Sequence, residues 1–334
     1  MKVLITGGAG YIGSLLSGIL LQRGYSVVVI DDLLFGGDSL LAYLTHPQFE
    51  FHKANVTEKE TIRPYFREVD HVIHLAALVG FPACRQVGPQ VAWLYNLQGT
   101  KNAYELAREN KVKRFAFAST YSNYGIAEGN GAVTEESPLN PQSLYAETKI
   151  AAEQFLIEEG KKSETVPVLF RFATLFGLSP RTRFDLIINQ FVLEAIEKRR
   201  LIIYQKNYNR SFVHIRDIAK ALTLGMELGF DKVGNQIFNV GSNAGNYSKE
   251  EVIQLIQKYV PELTVELKDL SFDGDMRDIR VSFDKIERVM GFKAEVTVEE
   301  GIKELVWAIR SGVIFDPHST RNRNAQFISG LNYD

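Results

Sequence analysis

Tyr145 and Lys149 stand four residues apart in the stretch "YAETK", one turn of a helix, so both project from the same face. A phenol beside an ammonium group is a proton-transfer pair. A free phenol has a pKa of about 10, so a base working near neutral pH needs a downward shift of roughly three units, worth about 4 kcal/mol. A neighbouring cation supplies such a shift. The same spacing also occurs on helices that only bridge core and solvent, so the pair gains meaning from its company. Thr120 ends the apolar run "RFAFAST" (114–120), 25 residues before Tyr145. Its place is the C-terminal end of a predicted strand, where open α/β sheets hold their ligands.

A second candidate site opens the chain. In "KVLITGGAGYIGS" the apolar run 2–6 reads as a buried strand, and Gly7, Gly10 and Gly13 form a turn into a helix over 12–23. The run "SVVVID" (26–31) is a second strand, and Asp31 and Asp32 end it. Glycines at such a turn let the backbone approach a pyrophosphate, whose charge sits at the helix N-terminus. Asp31 would accept hydrogen bonds from the adenosine ribose and repel a 2′-phosphate. No basic residue follows within the next several positions, so NAD(H) is expected rather than NADP(H). The spacing is GxxGxxG rather than GxGxxG, and a turn serving only helix–strand packing is the alternative; the strand–turn–helix–strand–acid context argues for the dinucleotide.

The elements that must position these groups repeat one rhythm. Strands are predicted at 71–77, 114–120 and 166–174, with helices over about 91–110 and 143–160. Apolar strands alternating with helices predict an α/β fold: a Rossmann-type, doubly wound parallel sheet covered on both faces. After about residue 175 the rhythm changes to a loop running into a helix, a further strand at 237–242, and a helix over 248–260 capped by Ser248 with Glu251 three residues on. The expected division is a NAD-binding domain of 1–174 plus about 210–242, and a smaller interleaved lobe of 175–209 and about 243–334. The tail "RNRNAQFISGLNYD" has weak periodicity and reads as extended or partly disordered.

The chain has 334 residues, 45% of them hydrophobic, and a net charge of −2, which argues against nucleic acid or a membrane surface as a partner. No apolar run reaches the roughly 18 residues of a membrane span. The first residues already form a strand, leaving no room for a signal peptide. The lone cysteine, Cys84, excludes an intrachain disulfide, and a reducing cytoplasm is expected. Histidines 46, 52, 71, 74, 214 and 318 show no metal-ligand spacing, so no metal site is expected. His74 reads as a structural histidine on an apolar strand, and Cys84 as a structural thiol near the site.

Together "TGGAGYIGS" (6–14), Asp31, "HLAA" (74–77), "YNLQGTKN" (95–102), "ASTYSNYG" (118–125), "YAETK" (145–149) and "RSFVHIRDIAKA" (210–221) resemble the extended short-chain dehydrogenase/reductase family, within it the nucleotide-sugar epimerase/dehydratase group. The resemblance implies that Tyr145 takes a proton from a sugar hydroxyl as the hydride passes to NAD. Lys149 would lower the phenol's pKa and hold the nicotinamide ribose, and Thr120 would bond the reacting oxygen. Tyr11, Ile12, Asp32, Val56, Leu75, Ala76, Ala77, Asn96, Ser119 and Phe172 join the implied cofactor site. Asn55 stands where the family usually has an Asp facing the adenine, and its amide oxygen could still accept from the adenine amino group. Val79, Tyr121, Thr174, Arg181, Arg183, Asn189, Arg210 and Arg277 are implied substrate residues, the arginines through a diphosphate. A homodimer through a four-helix bundle is also implied, with Leu94, Leu97, Tyr104 and Leu156 as contributors; covering the sheet is the other use of those faces.

Where 4,6-dehydratases carry an Asp–Glu pair after the Thr, this chain has Tyr121 and Ser122, which cannot do carboxylate chemistry. The Cys/His pair of the 3,5-epimerase/reductases is likewise not seen after Ser119. A 4-epimerase and a 4-dehydrogenase remain, and the stretches "AALVGFPAC" and "LFGLSPRTRFDLIINQF" resemble most the branch that includes a GDP-heptose 4-dehydrogenase. A 4-keto-sugar reductase is the same chemistry reversed. A NAD-binding regulator without catalysis would be favoured had Tyr145 or Lys149 been missing.

Overall fold

The alternation seen in the sequence becomes twelve strands in a computed structural model that describes residues 1–126, 131–204, 208–268 and 279–324. In chain order they are β1 Lys2–Thr6, β2 Ser26–Asp31, β3 Phe49–Lys53, β4 His71–His74, β5 Arg114–Thr120, β6 Val166–Phe172, β7 Thr174–Phe176, β8 Arg200–Tyr204, β9 Asn209–His214, β10 Gln236–Val240, β11 Asn246–Ser248 and β12 Thr264–Lys268. The helices are α1 Tyr11–Gln22, α2 Lys59–Ile62, α3 Phe81–Trp93, α4 Gly99–Glu109, α5 Leu144–Gly160, α6 Ile187–Lys198, α7 Ile215–Glu227, α8 Phe230–Val233, α9 Lys249–Tyr259, α10 Asp284–Met290 and α11 Val298–Arg310.

Seven strands form one parallel sheet in the order β10-β6-β5-β4-β1-β2-β3. Period-two alternation sends neighbouring side chains to opposite faces. Val27, Val29 and Ala116 pack with Leu16 and Leu20 of α1 and Ile218 and Leu222 of α7. Val28, Ile30, Phe115 and Phe117 face Tyr104 and Leu106 of α4 and Ala152 and Leu156 of α5. Chain order reverses between β1 and β4, so a crevice opens there at the C-terminal strand ends, as in other open α/β sheets.

The second half does not extend that sheet evenly. Of the span 210–242 expected with the first lobe, β10 joins the large sheet, whereas β9 pairs with β7 and β11 in a separate sheet. A third core forms where Ile188 and Val192 of α6, Ile253 and Ile256 of α9 and Ile302 and Leu305 of α11 meet Leu201 and Ile203 of β8. The Ser248 cap is the predicted one, a full capping box with Glu251, and Thr297 and Glu300 repeat it on α11.

Three expectations are corrected. The predicted strand 71–77 ends at His74, which frees Leu75, Ala76 and Ala77 to line the crevice. The predicted helix 91–110 is α3, a π-helical turn at Leu94–Gln98, and α4. Tyr104 and Leu156, offered for a dimer face, are fully buried between α4, α5 and the sheet, so they pack within the protomer; Leu94 and Leu97 are half-buried. Among the described residues no helix is long and apolar enough to cross a membrane.

Behind β5 and β6 lies a buried polar network. The Arg171 guanidinium bonds both Glu153 carboxylate oxygens (Nη2–Oε2 2.6 Å, Nε–Oε1 3.0 Å), and each side chain is 3% exposed. Ser119 and Asn123 donate to the same carboxylate at 2.5 and 2.9 Å. Removing one partner of such a pair leaves an uncompensated buried charge, at a cost of about 3–5 kcal/mol, whereas replacing both with apolar groups is often near neutral. Glu153→Leu or Arg171→Met alone should therefore lower the denaturant midpoint sharply, and the double variant should recover much of the loss. Additive losses in equilibrium unfolding would contradict this account.

Candidate active site

The crevice is built first by the glycine turn. Gly7 has φ +73°, and a Cβ there would meet the Ala76 backbone nitrogen at 2.7 Å, so β1 can pass the β4 loop only as glycine. A Cβ on Gly13 would lie 2.5 Å from Gly7 O, so α1 can leave the turn this closely only without a side chain. Gly10 differs: its backbone is extended (φ −75°, ψ −175°) and a Cβ would meet only Gly7 O, at 3.2 Å. Packing alone barely demands glycine there, and the residue lines the crevice at the uncapped start of α1. The missing side chain therefore leaves room on the ligand side, where the helix N-terminus favours an anion.

Two half-buried carboxylates define the next part. Asp31 accepts from the Ala9 and Leu33 backbone N–H groups at 3.0 and 2.8 Å, and burial still pushes its pKa up. Asp32 is pushed up to about 6 by burial and then by the charge of Asp31. Asn55 Nδ2 donates to Tyr95 Oη (2.7 Å) and Asp32 Oδ2 (3.3 Å), while Thr57 N and Oγ1 both donate to Asn55 Oδ1 at 2.9 Å. The expected use of that amide oxygen for adenine is corrected, because Thr57 already occupies its lone pairs. Val56, Leu75, Ala76 and Ala77 form the apolar wall. His74 is structural: it bonds Thr6 Oγ1 (2.7 Å) and Thr100 Oγ1 (3.1 Å), and burial pushes it down to about 3, so it is neutral.

At the other end Ser119, Thr120, Tyr121, Tyr145, Lys149 and Phe172 converge on the same crevice. Ser143 caps α5 by accepting from Ala146 N, which fixes where Tyr145 and Lys149 emerge. Lys149 is 2% exposed, donates to Ala118 O at 2.9 Å, and lies 4.6 Å from the centroid of the Phe117 ring. Burial pushes its pKa down to about 8, opposed by the negative charge of Glu153 on the same helix. Thr120 caps the turn after β5: its Oγ1 accepts from Ser122 N at 3.1 Å and donates to Ser122 Oγ at 3.0 Å. Tyr121 Oη and Thr174 Oγ1 bond at 2.7 Å. Cys84 is buried and donates to Leu78 O at 3.3 Å, with its thiol pushed up to about 11 by burial, as suits a structural role.

The loop after β7 closes the wall. Tyr11 Oη donates to Gly177 O (2.7 Å), and Ser179 Oγ donates back to Tyr11 O (2.6 Å). Arg181 and Arg183 line the crevice with Val79 and Ile12, and Arg183 is held in a two-point ion pair with Asp185 at 2.9 and 3.0 Å. Three further expected residues do not reach the crevice. Asn96 Oδ1 accepts from Leu78 N, and its Nδ2 donates to Leu78 O and Thr148 Oγ1, so the amide is fully engaged in positioning α5. Asn189 is spent on both Gly177 backbone groups and Arg183 O. Arg210 is buried on β9, donating to Asn209 O, and is not part of the crevice wall. Arg277 lies outside the described residues. Sequence reading missed Phe35, Tyr95, Ser122, Leu186 and Asn324, all in the wall. Ser122 follows Thr120 closely enough to have been found; Asn324 comes from the segment expected to be loose, and no local pattern marks it.

Glycine turn, strand-end acid and a Tyr–Lys–Thr cluster in one crevice of a doubly wound sheet define a dinucleotide-dependent enzyme. Residues 3–241 match the model of the NAD dependent epimerase/dehydratase family, and the chain belongs to that family. It is 28% identical to the UDP-glucose 4-epimerase of Bacillus subtilis over 90% of this chain and 94% of that one. It is 27% identical to UDP-glucuronic acid decarboxylase 1 of Arabidopsis thaliana, over 94% of this chain and 71% of that one. The structure of UDP-glucose 4-epimerase with UDP-glucose from Thermotoga maritima superposes with a TM-score of 0.83 at 25% identity, covering 94% of this chain and all of that one.

Two measurements test the cofactor end. Gly10→Ala should fold with little loss of stability yet lose NAD affinity at least tenfold by calorimetry, whereas Gly13→Ala should lower the melting temperature markedly. An acid whose folded pKa is raised destabilises the fold once ionised, a penalty that grows as pH rises from about 4 to 6 and is complete above it. Asp32→Asn should therefore raise the melting temperature of cofactor-free protein at pH 7 to 8 and leave it unchanged near pH 3.5.

Proposed function

We propose that the chain oxidises a nucleotide-activated sugar at C4, as a 4-epimerase or 4-dehydrogenase, with Tyr145 as general base. The observation that carries this reading is the meeting of Thr120, Tyr145 and Lys149 with the glycine turn and Asp31 in one crevice. NAD, when bound, supplies the hydride acceptor. Gly10 and the start of α1 would seat its pyrophosphate, and Asp31 its adenosine ribose. Tyr145 takes the proton from the C4 hydroxyl. Lys149 supplies the nearby positive charge that makes a phenolate attainable, in a dry environment where that charge acts strongly. Thr120, placed by the Ser122 N–H that its oxygen accepts, would turn its proton from Ser122 Oγ to the reacting oxygen.

Elimination of water next to the new ketone needs a carboxyl acid and base beside the sugar. Among the described residues of the wall the carboxylates are Asp31 and Asp32, at the adenosine end. Tyr121 and Ser122 occupy the places after Thr120, and the Tyr121 hydroxyl is engaged with Thr174. This supports oxidation with hydride return over dehydration, in keeping with the Bacillus subtilis 4-epimerase among the relatives. Arg183, in the crevice wall, is our assignment for the nucleotide diphosphate, with Arg277 as a second cation. A second copy docking on the outer faces of α4 and α5 completes the proposal, and sedimentation velocity should give a dimer mass.

Tyr145→Phe should abolish turnover while NAD binding persists; retained turnover rules out the mechanism. Incubation with UDP-, GDP-, dTDP- and CDP-sugars, read by mass spectrometry with and without a keto-acid oxidant, separates the outcomes. Unchanged mass with altered stereochemistry identifies the epimerase, and a loss of two mass units the dehydrogenase.

A further inference from the structure

We infer that the segment 316–324, together with Arg181 and Phe35, is the outer wall of the adenosine-ribose subsite, and that Arg181 and Asn324 are binding residues for that half of the cofactor. The inference rests on the reading of the crevice as a NAD site and adds a part of the site drawn from the far end of the chain. Arg181 was expected at a sugar diphosphate. Instead its guanidinium lies 3.9 Å from the centroid of Phe35, on the loop that follows Asp31. Nε donates to Arg321 O at 2.9 Å and Nη2 to Asn324 Oδ1 at 2.8 Å, which uses two of the five N–H groups. The group is 7% exposed, and the Asp31 carboxylate acts on it as an opposite charge. A buried guanidinium facing the half-buried Asp31 carboxylate, with donors to spare, suits a ribose hydroxyl or the neighbouring phosphate oxygen.

The segment is fastened at both ends of this contact. Asn324 is 5% exposed; its backbone N donates to Asp185 Oδ2 at 2.9 Å, the carboxylate that also holds Arg183. Phe184 N donates to Asn322 O at 2.9 Å. On the outside, Arg321 pairs with Asp38 at 2.6 Å, so the segment is tied to the loop after β2 as well as to the loop after β7. A dinucleotide seated between Asp31 and Asn324 is thus enclosed by chain from three distant stretches. Its release requires this wall to open. Slow release favours returning the hydride to the same sugar over handing it to an outside oxidant, which is the epimerase branch of the proposed function.

The test reads cofactor release on the full chain without any sugar: bound NADH is displaced by excess NAD in a stopped-flow fluorimeter. Asn324→Ala and Arg181→Lys should speed release at least tenfold, and Arg321→Ala or Asp38→Ala two- to fivefold, as fits an exposed ion pair. Asp38→Cys with Arg321→Cys, joined by a short cleavable dithiol reagent, should slow release at least tenfold and recover on cleavage; Cys84 is buried and does not compete. Release within twofold of the unmodified protein for both Asn324→Ala and the cross-linked form overturns the inference. Should Arg181→Lys fail to fold, Asn324→Ala and the cross-link decide alone. Faster release in Asn324→Ala with no sugar oxidised by the parent enzyme upholds this wall and rejects the proposed reaction.

Discussion

The site depends on keeping one cation charged in a dry place. Lys149 is almost fully buried, and desolvation works against its ammonium form. What opposes that loss is local: the Ala118 carbonyl, the Phe117 ring, and the carboxylate of Glu153 one turn further along α5. Glu153 in turn is tolerable inside the protein only because Arg171 on β6 binds both its oxygens and Ser119 and Asn123 add two more donors. The requirement thus spreads from one side chain to α5, β5, β6 and the turn after Thr120. From the opposite side Asn96, in the π-helical turn, grips Thr148 and the Leu78 backbone. Irregular turns of this kind often mark functional sites, and this one holds the helix that carries Tyr145 and Lys149.

The cofactor end obeys the same rule with the sign reversed. Two adjacent, half-buried carboxylates are costly, and the sequence places donors around them rather than a basic residue next in line. Ala9 and Leu33 give backbone N–H groups to Asp31, Asn55 turns its amide nitrogen to Asp32, and Arg181 stands across the crevice. The neutral His74 belongs to this end as well, because it orders Thr6, whose hydroxyl also takes the Ala76 N–H at 3.3 Å. That contact sets the wall Gly7 can approach only without a side chain.

The parts legible in the sequence are those in which one short stretch carries both the chemistry and its placement. The glycine turn, Asp31, Thr120 and the Tyr145–Lys149 pair are of this kind, and so is the parallel sheet that buried apolar runs announce. Matching a motif position is weaker, because it names a residue without saying which of its atoms are already bonded. Asn55 lines the crevice and Asn96 and Asn189 lie behind its wall, and in all three backbone or hydroxyl partners use the atoms a ligand would need. Tyr104 and Leu156 look equally apolar whether they cover the sheet or face a second copy, and only the packing of α4 and α5 assigns them. The bond between Arg181 and Asn324 was illegible for a third reason: it joins positions 143 residues apart, and nothing local to either records it.

The loop after β7 is the point where the two halves of the molecule become one site. Tyr11 follows the glycine turn directly, yet its hydroxyl is bonded to Gly177, and Ser179 reaches back to the Tyr11 carbonyl and to Ser14 at 3.2 Å. Six residues further on, Asp185 holds both Arg183 and the Asn324 backbone, two parts of the crevice wall. The loop therefore ties the start of α1, Arg183 and the Asn324 backbone into one hydrogen-bonded unit. Such coupling suits chemistry in which hydride donor and acceptor must keep one geometry through two transfers. Hydrogen bonds of Tyr11, Ser179 and Asp185 join the loop after β7 to the glycine turn on one side and to Asn324 on the other, so neither wall of the crevice is held independently of it.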